Sequence, residues 1–206
     1  MEGSWPTDPC LDPDLMKRIG SAMARWSSAI CAVAMIDFGC GGVNAAGSVE
    51  KMIRDALAAA PPPIASTAIV KDWDNRILRQ GAGPYVCFPT PPSVRPKGRE
   101  PMCLDEVWLA WLDAWMHAKP FKADRVGTAY MLAGDTGASA IDPYATAATA
   151  ENKWVVDGPH LMIIVPNSAE LEGLSTGPTN NSPYVMWKGT PYVHIMIPVG
   201  EPASVK

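Results

Sequence analysis

Proline sets the grain of this chain: 21 of its 206 residues are proline, and each one fixes φ and removes a backbone donor. Regular structure has to fit between them, so the sequence reads as short elements joined by ordered loops. Pro61-Pro62-Pro63 stops a helix that Ser48 can cap, in which Val49, Met52, Ile53, Ala56, Leu57 and Ala60 recur at helical spacing and Glu50 pairs with Arg54. Pro120 follows a second helix, capped by Asp105 and running to about Ala118, which places Trp108, Trp111 and Trp115 on one face. That face must be buried against a large apolar surface, either as a helix packed over a sheet or as an aromatic platform for a ligand.

Between the prolines and glycines the remaining apolar runs have strand character. Residues 67–71, 76–80 and 85–88, with turns at 72–75 and 81–84, read as a three-stranded meander. Further strands fall at 126–132, 153–156, 160–165, 184–187 and 193–197, with a short helical turn near 169–174. The segment 133–149 is rich in small residues and reads as a surface loop. Nothing alternates as β-α-β, so the expected fold is α+β, a mainly antiparallel sheet with two principal helices packed on it.

The N-terminal part has a different character. Met16-Lys17-Arg18 and Arg25 precede an apolar run of 11 residues, Trp26 to Ile36, too short to span ~30 Å of hydrocarbon as a helix but suited to a signal peptide. Val43-Asn44-Ala45 supplies small residues for cleavage after Ala45, with Ala46 as the alternative. Residues 1–15 then read as sequence ahead of the true start, 16–45 as a signal peptide and 46–206 as a single α+β domain, exported to a periplasmic or extracellular space. Asp37 and Gly39 to Gly42 interrupt the apolar run, which is the argument for a buried helix instead. Asp37-Phe38-Gly39 before Cys40 fits a lipoprotein anchor poorly. From Ala46 onward 14 Lys and Arg accompany 16 Asp and Glu, a net charge of about −2 without a basic run, so nucleic acid is excluded as a partner. The mature form carries no stable membrane span.

Cysteine usage follows that division. Cys10, Cys31 and Cys40 precede the cleavage point, and Cys87 and Cys103 remain as an even pair. Between them lie Pro89, Pro91, Pro92, Pro96 and Pro101 with Gly98, a segment with little else to hold it, so a Cys87–Cys103 disulfide is expected. The alternative is two buried thiols.

Two His-x-Met triplets, His160-Leu161-Met162 and His194-Ile195-Met196, are the main candidates for a site. Each lies in an expected strand whose period of two puts histidine and methionine on one face. If the strands are neighbours, four ligands converge, and imidazole with thioether sulfur selects copper, Cu(I) above all. The alternative is structural, since methionine fills cores and a strand histidine often bonds a backbone carbonyl. His117, at a helix C-terminus, has a structural role through the helix dipole. Asp135-Thr136-Gly137 matches the tag of aspartic proteases, but occurs once and lacks the apolar lead-in. Asp135 and Asp142 form an alternative polar site, bonding backbone amides or joined by calcium. A hydrolase would take a histidine base, an aspartate and a serine such as Ser139. No Gly-x-Ser-x-Gly elbow, His-Glu-x-x-His pair or phosphate-binding glycine loop is present.

At Met131-Leu-Ala-Gly134, Asp142-Pro-Tyr-Ala-Thr146, Gly158-Pro-His-Leu-Met162 and the run from Tyr184 to Val199, the chain resembles a family of exported bacterial proteins of unknown function. The resemblance covers most of residues 46–206 and implies a leader and a disulfide, since the segments around Cys87 and Pro101-Met-Cys103 also fit. It implies no activity. The residues before Met16 and the acidic Asp37 depart from the pattern. The combined expectation is an exported, non-catalytic ligand-binding, metal-binding or envelope-associated module, with a small periplasmic hydrolase using His and Asp as the alternative. Sequencing the exported protein should give Ala46 as its first residue; a chain purified from its host that still starts ahead of Ala46 overturns the export reading.

Overall fold

A computed structural model describes residues 42–201, with side chains from 46 onward. The expected leader, its cysteines and residues 1–41 lie outside the described residues. The first helix, α1 (Gly42–Leu57), carries the predicted apolar stripe, but it begins ahead of Ser48, which therefore lies within the helix and not at its N-cap. Carbonyls of Asp55, Ala56 and Leu57 close its end with tighter three-residue bonds to Ala58, Ala59 and Ala60. The proline triplet then does more than stop it. Pro61 is the N-cap of a short helix, α2 (Pro62–Thr67), because a proline in the first turn loses no hydrogen bond and has φ already set. The expected strand from Thr67 is shortened accordingly to β1 (Ile69–Lys71).

Three more short strands follow, β2 (Ile77–Arg79), β3 (Val86–Phe88) and β4 (Met102–Leu104). The second long helix, α3 (Glu106–Met116), has the predicted N-cap: Asp105 accepts from the Trp108 amide at 3.0 Å. After it come β5 (Gly127–Met131), β6 (Ala138–Ser139), β7 (Trp154–Val155), β8 (His160–Ile164), a single 3-10 turn at Ser168–Leu171, β9 (Tyr184–Met186) and β10 (His194–Pro198). Eight strands form one sheet in the order β2-β1-β3-β4-β5-β8-β10-β9, and β6 pairs with β7 separately. All pairings in the large sheet are antiparallel except β1 with β3. The fold is thus α+β with an antiparallel-dominated sheet. No helix among the described residues is long and apolar enough to cross a membrane.

The parallel pair corrects the expected meander. The strand β3 does not lie beside β2 but crosses to the far side of β1, by way of Gly81-Ala-Gly83-Pro84. That crossing runs hard against the start of β1: a Cβ on Gly81 would stand 2.4 Å from the Ala68 carbonyl, one on Gly83 2.5 Å from Thr67 Oγ1, and the Gly83 amide donates to Thr67 O at 2.8 Å. The glycines are needed for backbone approach, which a turn reading of the sequence does not reveal.

Alternation along the strands divides the core between two faces. Cys87, Cys103 and Val70 join Ala56, Ala59 and Ala60 under α1, whereas Val86, Phe88, Leu104, Ala129, Met162 and Met196 pack with Trp108 and Trp111 under α3. The seat of α3 depends on Gly127, where a Cβ would meet Val107 at 2.7 Å, and on Asp105, which also accepts from Thr128 of β5. On the first face, Cys87 and Cys103 are directly opposed across β3 and β4 and form the expected disulfide. Closing a loop of this length stabilises the fold by about 3 kcal/mol in the chain-entropy model. A Cys87→Ala/Cys103→Ala double variant is therefore expected to melt roughly 6–12 °C lower by circular dichroism; an unchanged midpoint would show that strand pairing alone holds the loop.

Candidate functional site

The strands carrying the two His-x-Met triplets are neighbours, paired antiparallel with Met162 directly opposite Met196. His160, Met162, His194 and Met196 are all buried and share the α3 face of the sheet. Along the same face His160 lies opposite Met131 of β5, and His194 opposite Met186 of β9. The methionine pair sits between the imidazoles, each of which is two residues from its own methionine, so their backbone positions are about 13 Å apart at ~3.3 Å per residue. Each ring is also tied back to its own strand. His160 Nδ1 bonds Gly158 O at 2.7 Å and His194 Nδ1 bonds Tyr192 O at 2.8 Å, each two residues back along its strand. Donating from Nδ1 leaves Nε2 as an acceptor on each ring.

Over this face lie the indoles of α3, joined by Trp187, which follows β9 at a φ of 56°. Trp111 and Trp187 are stacked within 3° of parallel at 5.5 Å, and Trp115 stacks on both. His194 presents its ring edgewise to Trp108, Trp111 and Trp187, with centroids 5.1–5.5 Å away. The indole N–H groups of Trp111, Trp115 and Trp187 are satisfied by the carbonyls of Tyr192, Pro143 and Ser139. That of Trp108 is buried without a partner among the described residues, as is His160 Nε2.

The expected surface loop over 133–149 holds for its second half, where most of 141–149 is exposed, but not for its first. Ser139 and Ala140 are buried, β6 pairs with β7, and the Trp187 amide donates to Ala140 O at 2.9 Å, so the segment is a strap drawn over the tryptophans. Beneath the strap, between α3 and the sheet, is a cavity of about 250 Å³. All four residues of the two triplets line it, and so do the two aspartates of the alternative site, Asp135 and Asp142. The rest of its wall is mainly indole, methionine and leucine, with small residues of the strap such as Ser139 and Ala145, and with Glu100 entering from the proline-rich loop.

The polar groups are individually engaged. Asp135 Oδ1 accepts from the amides of Gly137 and Asp157, and Asp142 Oδ1 from that of Tyr144. Ser139 Oγ donates to Asn152 O and accepts from the Ile141 and Asp142 amides, so this hydroxyl shapes a turn. His117 caps α3, bonding Asp113 O at 2.7 Å. Among the described residues no group of three or more His, Cys, Asp and Glu is arranged to hold a metal ion.

Burial dominates the titration of the site. It pushes the Asp135 carboxyl up to about 7, with the Asp157 and Glu100 charges adding to the effect and the Asp157 and Gly137 amides opposing it. Burial also raises Glu100, lowers His160 and brings His194 down to about 4. Asp157 receives the hydroxyl of the buried Tyr184. Sequence reasoning missed Glu100, Asp157 and Trp187. The first two meet Asp135 through long-range contacts that have no local pattern, and Trp187 leaves the strand alternation at its positive φ.

No family model, curated protein or solved structure matches this chain.

The shifts of His194 and Asp135 have opposite consequences for stability. His194, at about 4 when folded against 6.5 unfolded, favours the fold fully above 6.5, and this contribution, about 3 kcal/mol, is lost as pH falls to about 4. Asp135, at about 7 when folded against 3.8 unfolded, favours the fold fully below 3.8 and loses about 4 kcal/mol as pH rises through 7. Each partly hides the other. In an Asp135→Asn variant, urea unfolding should show a steeper loss of stability from pH 6.5 to 4 than in the parent; parallel curves would mean that the Asp135 carboxyl is not raised toward 7, and a variant whose stability is flat over that range would mean that His194 is not held neutral.

Proposed function

We propose that this chain is an exported, non-catalytic binding module whose site is the cavity between α3 and the His/Met face of the sheet. The observation that carries this reading is the cavity wall itself, in which Glu100, Asp135, Asp142, His160 and His194 are set among indoles and methionines; two of its residues, Trp108 and His160, each hold a buried ring nitrogen, Nε1 and Nε2, without a partner among the described residues. One is a donor and the other an acceptor, and leaving such groups unsatisfied costs about 1–3 kcal/mol each. A ligand that meets them while covering indole and thioether surface recovers that cost. The wall matches the general pattern of small-molecule sites, mostly apolar with a few fixed polar groups. The paired cysteines and the lack of a membrane-spanning helix among the described residues accord with export. Because Ser139 Oγ is committed to a turn, that hydroxyl is not poised as a nucleophile.

The histidine–methionine juxtapositions favour a second reading, a soft Cu(I) ion held by thioether sulfur and one imidazole. Native mass spectrometry of the protein purified from its host separates the two, an organic mass supporting the first and a copper mass the second. Ala145 sits in the strap at the cavity wall, so Ala145→Trp is expected to lower occupancy at least tenfold while the melting temperature stays within a few degrees. Undiminished occupancy in this variant would place the bound species elsewhere.

A further inference from the structure

The cavity wall is electrostatically one-sided. Glu100, Asp135 and Asp142 line it, whereas no lysine or arginine does. Both imidazoles are neutral and keep Nε2 as an acceptor in place of a charge, since their Nδ1 positions are used on Gly158 and Tyr192 carbonyls. The indole N–H groups of Trp111, Trp115 and Trp187 are likewise tied to backbone carbonyls, so these rings offer π surface and apolar rim instead of donors. Trp108 Nε1 is the exception, a buried indole donor without a partner among the described residues. Carboxylates, lone pairs, thioethers and π clouds all attract positive charge, and nothing in the wall supplies a counter-charge of its own.

We propose that the ligand is an organic cation, a protonated amine on an apolar frame, seated among the indoles and methionines with Glu100 and Asp135 as its counter-charges. This rests on the cavity being a binding site and adds the chemical class of what it binds. An N–H on the amine suits the acceptor nitrogen of a neutral imidazole in the wall; an anionic ligand would meet three carboxylates and no lysine or arginine. The charge state of Asp135 gives a further signature. Its carboxyl is held up to about 7 by burial, with Glu100 from the proline-rich loop and Asp157 from the segment before β8 adding repulsion; Tyr184 of β9 and His160 of β8 both feel the Asp157 charge. A cation favours the ionised carboxylate, so its binding expels a proton and strengthens as pH rises from 5.5 to 8.

The test uses one phenyl frame bearing three head groups: 2-phenylethylammonium, 2-phenylethanol and phenylacetate, titrated by tryptophan fluorescence and calorimetry. The ammonium is expected to bind at least tenfold more tightly than the alcohol at pH 8, with phenylacetate weakest, and its affinity should fall severalfold at pH 5.5. In a Glu100→Gln/Asp135→Asn variant the ammonium's advantage should shrink below threefold and lose its pH dependence. Alcohol or carboxylate binding as tightly as the ammonium overturns the cation while leaving the cavity as a binding site. Failure of all three probes also overturns it, and the occupancy of the Ala145→Trp variant then decides separately whether the cavity binds anything.

Discussion

The neutral imidazole of His194 is the constraint around which the second half of the molecule is arranged. It is fully enclosed, with three indoles set edge-on around it, and a ring buried that deeply is tolerable only uncharged and with its N–H satisfied. Tyr192 O supplies that bond from two residues back. Trp111, on the opposite wall, donates to the same Tyr192 carbonyl, so one peptide group fixes both the helix and the strand. Once this contact sets the spacing of α3 above β10, Trp187 has room only in the parallel stack and the strap has a surface on which to lie. Flat rings on one side and flexible thioethers on the other do not interdigitate as branched aliphatic side chains do, and a cavity remains between them.

The opposite face is built on a different principle. Small alanines of α1 pack on Cys87, Cys103 and Val70, so helix and sheet approach closely and a covalent bond, not bulk, secures the middle of the sheet. Asp55 of α1 reaches across to the Thr90 amide and Arg99, fixing the proline-rich loop at both of its ends. The same loop places Glu100 in the cavity wall. The α1 face thus anchors an element that contributes chemistry to the α3 face.

The sequence made the local parts of this legible and the long-range parts opaque. Asp105 and the tryptophan spacing defined α3 because a cap and an apolar stripe are local signals, and the alternation in 160–164 and 194–198 marked two strands with a shared functional face. The cysteine pair was read from compartment arithmetic. By contrast, the parallel placement of β3 depends on two glycines that permit a backbone crossing, and the same residues describe an ordinary turn equally well. The strap 133–149 looked superficial because its residues are small and polar; it is buried at Ser139 and Ala140 because Trp187, some fifty residues on, reaches back to bond it. Strand alternation puts His160, Met162, His194 and Met196 on one face, but register places the methionines together and the histidines at the ends, which only the paired structure reveals.

What distinguishes the cavity from an ordinary packing defect is the chemistry left in its wall. An apolar void in a core loses only dispersion contacts, whereas this one retains an indole N–H and an imidazole nitrogen without partners among the described residues and a carboxyl held near neutrality. Each carries a cost of burial, although Asp135 and His160 also hold backbone groups of the fold in place. Several such groups around one space, with the other buried indole and histidine donors satisfied, are what the proposed binding reading rests on. The stability given up in the unliganded state is then available as binding energy, because the groups that cost most when unpartnered are those a complementary ligand recovers.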